Sequence, residues 1–227
     1  VDPVEMMAFI EDNQRKKTFP EPTDIKRMFD EEPTDVATSE RVLHMDVQKP
    51  KVYVGLKAKQ VDLSGEEMLK HELAVQIAVE CLFGRASSFY TDVYEDGLID
   101  ESYGYDFTLE KGFGFALIGS DTEQPEQLVN LIKEKLAQAE SEDLFTNEDV
   151  ERIKRKKIGF FLRALNSIEF IANQFTRYKF NDMNLFDVVP VLETITVEDI
   201  EKAFETIQGE DQQTVFTIMP ISERDKK

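Results

Sequence analysis

The side chains that could bind a metal or attack a substrate are few in this chain and far apart. Its two histidines, His44 and His71, lie 27 positions from each other, so no single helical turn can bring both to one ion. His71 is followed by Glu72, the start of a His-Glu pair, but the place of a second ligand on that helix face is taken by Val75. The pair reads as an ordinary histidine and an acid on the polar side of a helix. The single Cys81 sits among apolar helix residues, where a thiolate is disfavoured. Asp96 and Asp100 have no spacing that demands acid–base chemistry, and there is no Gly-x-Ser-x-Gly elbow. Gly112 and Gly114 fall inside a strand pattern and lack the strand–turn–helix setting of a nucleotide loop. The basic residues from Arg152 to Lys157 read as a solvated helix face that neutralises nearby acids. These residues supply no catalytic group and no metal ligand.

Composition narrows the partners. The formal charge of −19 repels a phosphate backbone and an anionic membrane surface, so neither nucleic acid nor a membrane is expected. No apolar run approaches the roughly 20 residues that span a bilayer. One unpaired cysteine fits a reducing compartment, and a cytoplasmic location is expected. With 41% hydrophobic residues and 17 phenylalanines, a chain of 227 residues can bury one large mixed core.

The elements that would position any site follow from capping and periodicity. Asp2, Pro3 and Glu5 open a short helix over 1–16, as an N-cap, a first helical position and a capping partner. A helix beginning so early is expected to be the remainder of something longer. Residues 17–41 hold three prolines and an acidic stretch and read as a linker. Strands are predicted around His44 and over Lys51 to Lys57, separated by Lys49-Pro50. Ser64 and Glu67 form a capping box for a helix that stops at Gly84. A short helix follows from Ser87 or Ser88 to Asp96.

Next, Tyr103, Tyr105, Phe107 and Leu109 alternate, turn at Glu110-Lys111-Gly112, and return as Phe113, Phe115 and Leu117. That is a hairpin pattern. Gly112, Gly114, Ala116 and Ile118 make the other side of the second strand, small enough for a helix to pack closely. Helices are expected from Pro125, from Thr146 or Asn147, from Glu169 and from Thr196, with a closing strand over Thr214 to Ile218. The fold class is α+β: an antiparallel sheet with helices packed on one face, spanning 42–220, with a tail at 221–227.

The ordered stretches KVYVGLKAK, KHELAVQIAVECLFGRASSFYTDVYEDGLID, FGFALIGSDTEQPEQL and ETITVEDIEKAF resemble a metallohydrolase domain of the insulinase/pitrilysin zinc proteases and mitochondrial processing peptidases. The likeness is closest to bacterial YmfH-type members, in their C-terminal half, and covers about residues 40 to 220. It implies a clamshell in which an N-terminal half holds zinc and this half helps to bind peptide. No cofactor is then expected in this chain, and zinc is expected in the missing N-terminal half. The implied partners are that half or a paralogous subunit, a peptide, and a second copy through exposed sheet edges.

The resemblance also implies an arginine and a tyrosine near the substrate, but in the corresponding stretch Tyr94 takes the arginine's place and the tyrosine position falls near Asp100. That pair does not carry over. Tyr94 and Tyr103 remain as substrate contacts by location. The resulting reading is a substrate-binding half, inactive alone, of a zinc metalloendopeptidase. The alternative is a non-catalytic peptide-binding or scaffold subunit.

Overall fold

A computed structural model of the chain describes residues 2–21, 32–59, 62–141 and 144–221. The linker reading falls partly, and the tail reading mostly, on residues outside this description, 22–31 and 222–227. Helix α1 (Pro3–Arg15) opens as its sequence dictates: the Asp2 carboxylate accepts the Val4 N–H at 2.8 Å and the Glu5 N–H at 3.2 Å. It stands as a unit of its own and buries none of its side chains.

Residues 32–221 build a five-stranded sheet with helices. The strands are β1 (Glu40–Met45), β2 (Lys51–Lys57), β3 (Gly104–Glu110), β4 (Phe113–Asp121) and β5 (Gln213–Pro220), in the order β1-β5-β2-β4-β3. Strands β5, β2, β4 and β3 pair antiparallel, whereas β1 runs parallel to β5. The one parallel pair has a simple origin. The chain reverses at Lys49-Pro50, so β1 and β2 point in opposite directions, and β5 inserts between them. Being antiparallel to β2, β5 must lie parallel to β1.

The register sets Val52, Val54 and Leu56 of β2 on one face with Ala116 and Ile118 of β4, Phe107 and Leu109 of β3, and Val215 of β5. All are buried. Helix α2 (Gly65–Phe83) crosses this face and is flanked by α5 (Asn147–Ala164), α7 (Val188–Thr194) and α8 (Val197–Glu205), with α4 (Pro125–Ser141) beside β2. The remaining helices are α3 (Ser88–Glu95) and α6 (Ile168–Phe180).

Two caps show what local sequence decides and what it does not. At α8 the capping box forms in full: Thr196 Oγ1 accepts the Asp199 N–H and the Asp199 carboxylate accepts the Thr196 N–H. At α2 the expected Ser64–Glu67 box is not made, and the Ser64 side chain caps nothing. Gly65 adopts φ +62°, so the backbone leaves helical geometry between the cap and the first turn. Its N–H is taken instead by the Asn181 carbonyl at 3.0 Å. Helix α7 is not among the expected elements. Its Pro190 lies in the first turn, where a missing N–H loses no helical bond.

The basic stretch of α5 also differs in part from expectation. Lys156 neutralises Glu80 at 2.6 Å, but Lys154 is buried and donates to the carbonyls of Glu193 and Ile195 at the C-terminal end of α7. A cation there meets the negative end of a helix dipole.

Candidate functional site

The hairpin β3–β4 turns through Lys111-Gly112 and divides its residues between two environments. Tyr105, Phe107 and Leu109 lie opposite Ile118, Ala116 and Gly114 on the helix side. There is little room there: a Cβ on Gly114 would sit 2.8 Å from Leu109 Cδ1 and 3.1 Å from Ala58 Cβ. The large residues of β4 therefore go to the other face. Phe113, Phe115 and Leu117 join Tyr53 of β2 there, and all four remain between 37% and 47% exposed. The Phe113 and Phe115 rings stack with centroids 6.4 Å apart. Phe216 and Ile218 of β5 continue the patch beside Tyr53 and Lys51. At its margin Lys51 pairs with Asp121 at 2.6 Å. Contiguous apolar faces left in water are commonly used for interaction. This one can hold an extended apolar chain, but it carries no reactive group.

The two tyrosines singled out by sequence belong to a second feature, a ladder of rings at the end of α2. Helix α3 starts on Ser87, whose hydroxyl accepts the Tyr90 N–H at 3.1 Å. It ends in a Schellman motif: the Leu98 N–H donates to the Val93 carbonyl, the Gly97 N–H to the Tyr94 carbonyl, and Gly97 takes φ +68°. Leu98 and Val93 are both buried, which fixes how the chain leaves the helix. Tyr94 thereby faces solvent, 57% exposed, and stacks on Tyr90 at 5.7 Å. Tyr90 leans on Tyr103 at 5.4 Å, and Tyr103 on Tyr105 at 6.4 Å. Tyr103 is buried, and its hydroxyl donates to the Phe83 carbonyl at 2.8 Å. Burial raises its phenol far above the ordinary range and pushes that of Tyr105 up to about 12. The structure thus brings Tyr94 and Tyr103 into one ladder, and only Tyr94 is open to a ligand.

Among the described residues no three His, Cys, Asp or Glu side chains could hold a metal ion together. His44 is exposed on edge strand β1. His71 is half-buried, with its Nε2 at 3.2 Å from Thr206 Oγ1, and burial lowers its pKa. The described residues do not fit a zinc site. Burial also pushes the Cys81 thiol up to about 12, so it is protonated at neutral pH. Asp100 is held low by the hydroxyl and N–H of Ser102, at 2.6 and 2.9 Å, which is turn chemistry rather than catalysis.

Glu72 corrects the sequence reading, which placed it on a polar helix side. It is 2% exposed, and one carboxylate oxygen accepts from Arg177 Nη2 at 2.7 Å. Arg177 also donates to Glu110 at 2.7 Å and to the Leu109 carbonyl at 3.1 Å. Burial holds the Glu72 carboxyl above its ordinary range against the pull of Arg177. The signal was present in the spacing. Glu72 follows Met68 by four and precedes Val75 by three, which puts it on the buried stripe of α2.

The model of the peptidase M16 inactive domain matches residues 1–157. The zinc protease YmfH of Bacillus subtilis strain 168 is 47% identical over 222 residues, which is 98% of this chain and 51% of that protein. An M16-like peptidase of Alicyclobacillus acidocaldarius superposes with a TM-score of 0.89 at 31% identity, over 97% of this chain and 52% of the other. The peptidase M16 inactive domain from Pseudomonas fluorescens gives 0.73 at 16% identity, over 97% of this chain and 52% of that one, a likeness of fold alone. The chain spans about half the length of these relatives.

Proposed function

Because the chain belongs to the peptidase M16 family, as its inactive domain, we propose that it is the non-catalytic half of a zinc metalloendopeptidase that degrades or processes peptides. The observation that carries this reading is the open face of the sheet. Tyr53, Phe113, Phe115 and Leu117 stay in water on a rigid strand framework, where an extended peptide can lay apolar side chains. Tyr94, at the open end of the ring ladder, is a further contact, and buried Tyr103 holds the ladder behind it. Zinc and the groups that activate water belong to an N-terminal half or a paralogous subunit.

The division of labour has a physical rationale. Closing a second wall over a flexible peptide orders it and excludes water near a metal that lies elsewhere. A cytoplasmic setting fits the unpaired Cys81. No helix among the described residues is long and apolar enough to cross a membrane. Strands β1 and β3 end the sheet, so the isolated chain is expected to self-associate at micromolar concentrations, which sedimentation checks.

The test is reconstitution. The chain is expressed with the polypeptide encoded upstream, zinc is added, and cleavage of an unstructured peptide is followed for the pair and for each piece. Cleavage by the pair alone supports the reading. Association with bound zinc but no cleavage favours the scaffold alternative, and cleavage by this chain alone overturns both.

A further inference from the structure

A cavity of about 500 Å³ opens between α2, α5, α6 and α7, beside the outer edge of β3. Its size is that of a small-molecule site, which runs from roughly 300 to 1,000 Å³. One wall is apolar, built by Leu73, Phe161, Phe170, Tyr178 and Leu192, with Phe161 and Phe170 set edge to face at 6.3 Å. The polar lining includes Gln76, Glu80, Lys156 and Lys157, on α2 and α5 beside Leu73 and Phe161. Arg177 also lines the cavity, with its Nε and Nη2 donating to Glu110, Glu72 and the Leu109 carbonyl.

The polar lining is unevenly satisfied. Lys156, whose side chain is 62% exposed, takes one Glu80 oxygen at 2.6 Å. Lys157 is only 21% exposed, yet the other Glu80 oxygen stands 3.6 Å away and Gln76 Oε1 is 3.3 Å from its Nζ. An ammonium has three protons to donate, and a desolvated one is costly without a close anion. Burial holds the Lys157 pKa below its ordinary value, as the geometry requires. Gln76 is loosely engaged too, its amide nitrogen reaching the Phe107 carbonyl only at 3.5 Å.

We propose that this cavity is a binding site for an amphipathic monocarboxylate, its carboxylate on Lys157 and Gln76 and its apolar body against Phe161, Phe170 and Leu192. The proposal is independent of the peptidase reading. A single carboxylate gives Lys157 the short charge-assisted bond it lacks, while Glu80, 3.6 Å from Lys157, keeps its 2.6 Å pair with Lys156. A cationic ligand would meet two lysines in the polar lining, and a neutral one would leave Lys157 as it is. A polyanion would face Glu80 and Asp106 and the overall charge of −19. The chemistry fits two sources, a free aliphatic acid or the apolar C-terminal residue of a peptide.

The test is calorimetric titration of the 227-residue chain with octanoate and with N-acetylphenylalanine, each beside its primary amide. At least one acid is expected to bind saturably, its amide about tenfold or more weaker. Lys157→Gln is expected to lose about tenfold in affinity with an unchanged melting curve, and Lys133→Gln on α4 to lose none. Preference for octanoate assigns the free acid, and preference for N-acetylphenylalanine assigns the peptide terminus. Should Lys157→Gln not fold, amide chemical-shift changes around Phe161 and Tyr178 in the wild-type chain decide the matter. Absence of saturation at roughly 10 mM for both acids, amides that bind as well as acids, an unaffected Lys157→Gln, or shifts elsewhere would each overturn the proposal.

Discussion

Strand β4 presents two chemically inverted faces. Toward the helices it carries Gly114, Ala116 and Ile118, all buried; toward water it carries Phe113, Phe115 and Leu117. A sheet that served only as a scaffold would be expected to do the opposite, with bulk inside and polar residues outside. The inner face is small because α2 and its neighbours pack close, and the outer face is large although no described helix shields it. Large apolar side chains at exposed positions add little to folding. The difference separates the face that holds this protein together from the face proposed to meet a peptide.

The comparison breaks first if adjacent residues on opposite faces respond alike. Ile118→Ala is expected to cost about 3 kcal/mol through lost burial and the cavity left behind. Leu117→Ala, one residue away, is expected to change stability by less than about 0.5 kcal/mol. Urea denaturation of both at neutral pH measures the contrast. The outer face is then sharpened by Phe115→Asp, which is expected to leave the urea midpoint nearly unchanged. In the reconstituted pair it should lower peptide cleavage about thirtyfold, the effect of losing one central apolar anchor.

The ring ladder repeats the contrast on a smaller scale. Tyr103→Phe removes the bond to the Phe83 carbonyl and is expected to cost about 1 kcal/mol in urea denaturation. Tyr94→Ala is expected to cost less than about 0.5 kcal/mol there, while slowing cleavage by the pair.

The smallest expected effect concerns the helix side and pH. Burial lowers the His71 pKa below its ordinary 6.5. As pH falls, the unfolded chain takes up this proton before the folded one does, so stability is lost from about pH 6.5 downward and is unaffected above it. Between pH 7 and pH 5, His71→Gln should therefore lose less stability than the wild type, by under about 1 kcal/mol. Paired urea titrations at the two pH values read the difference.

How much of this was legible depends on how local the signal is. The hairpin was readable because alternation and a Gly-containing turn act over a few residues, and the small face of β4 already pointed to close helix packing. Strand β5 was readable as a strand, but its insertion between β1 and β2 was not, since some 150 or more residues separate the partners that decide it. Helix α7 has only 7 residues, Val188–Thr194, too few for helical periodicity to stand out. Tyr94 and Tyr103 were chosen by position along the chain. Which of them is buried follows from the Gly97 motif and from the end of α2, neither of which alternation reports. The cavity is assembled from residues between Leu73 and Leu192 on several helices, so no window of sequence contains it.

The most direct test of the outer face asks where a peptide touches this chain. A photo-crosslinking side chain replaces Phe115 on the open face in one variant and Phe175, exposed on α6, in another. Each is irradiated with an unstructured peptide in the presence of the metal-bearing half. The account predicts peptide adducts at position 115 and none above background at position 175. Adducts at 175 with none at 115 would contradict it, because the open sheet face would then not be the surface that meets substrate.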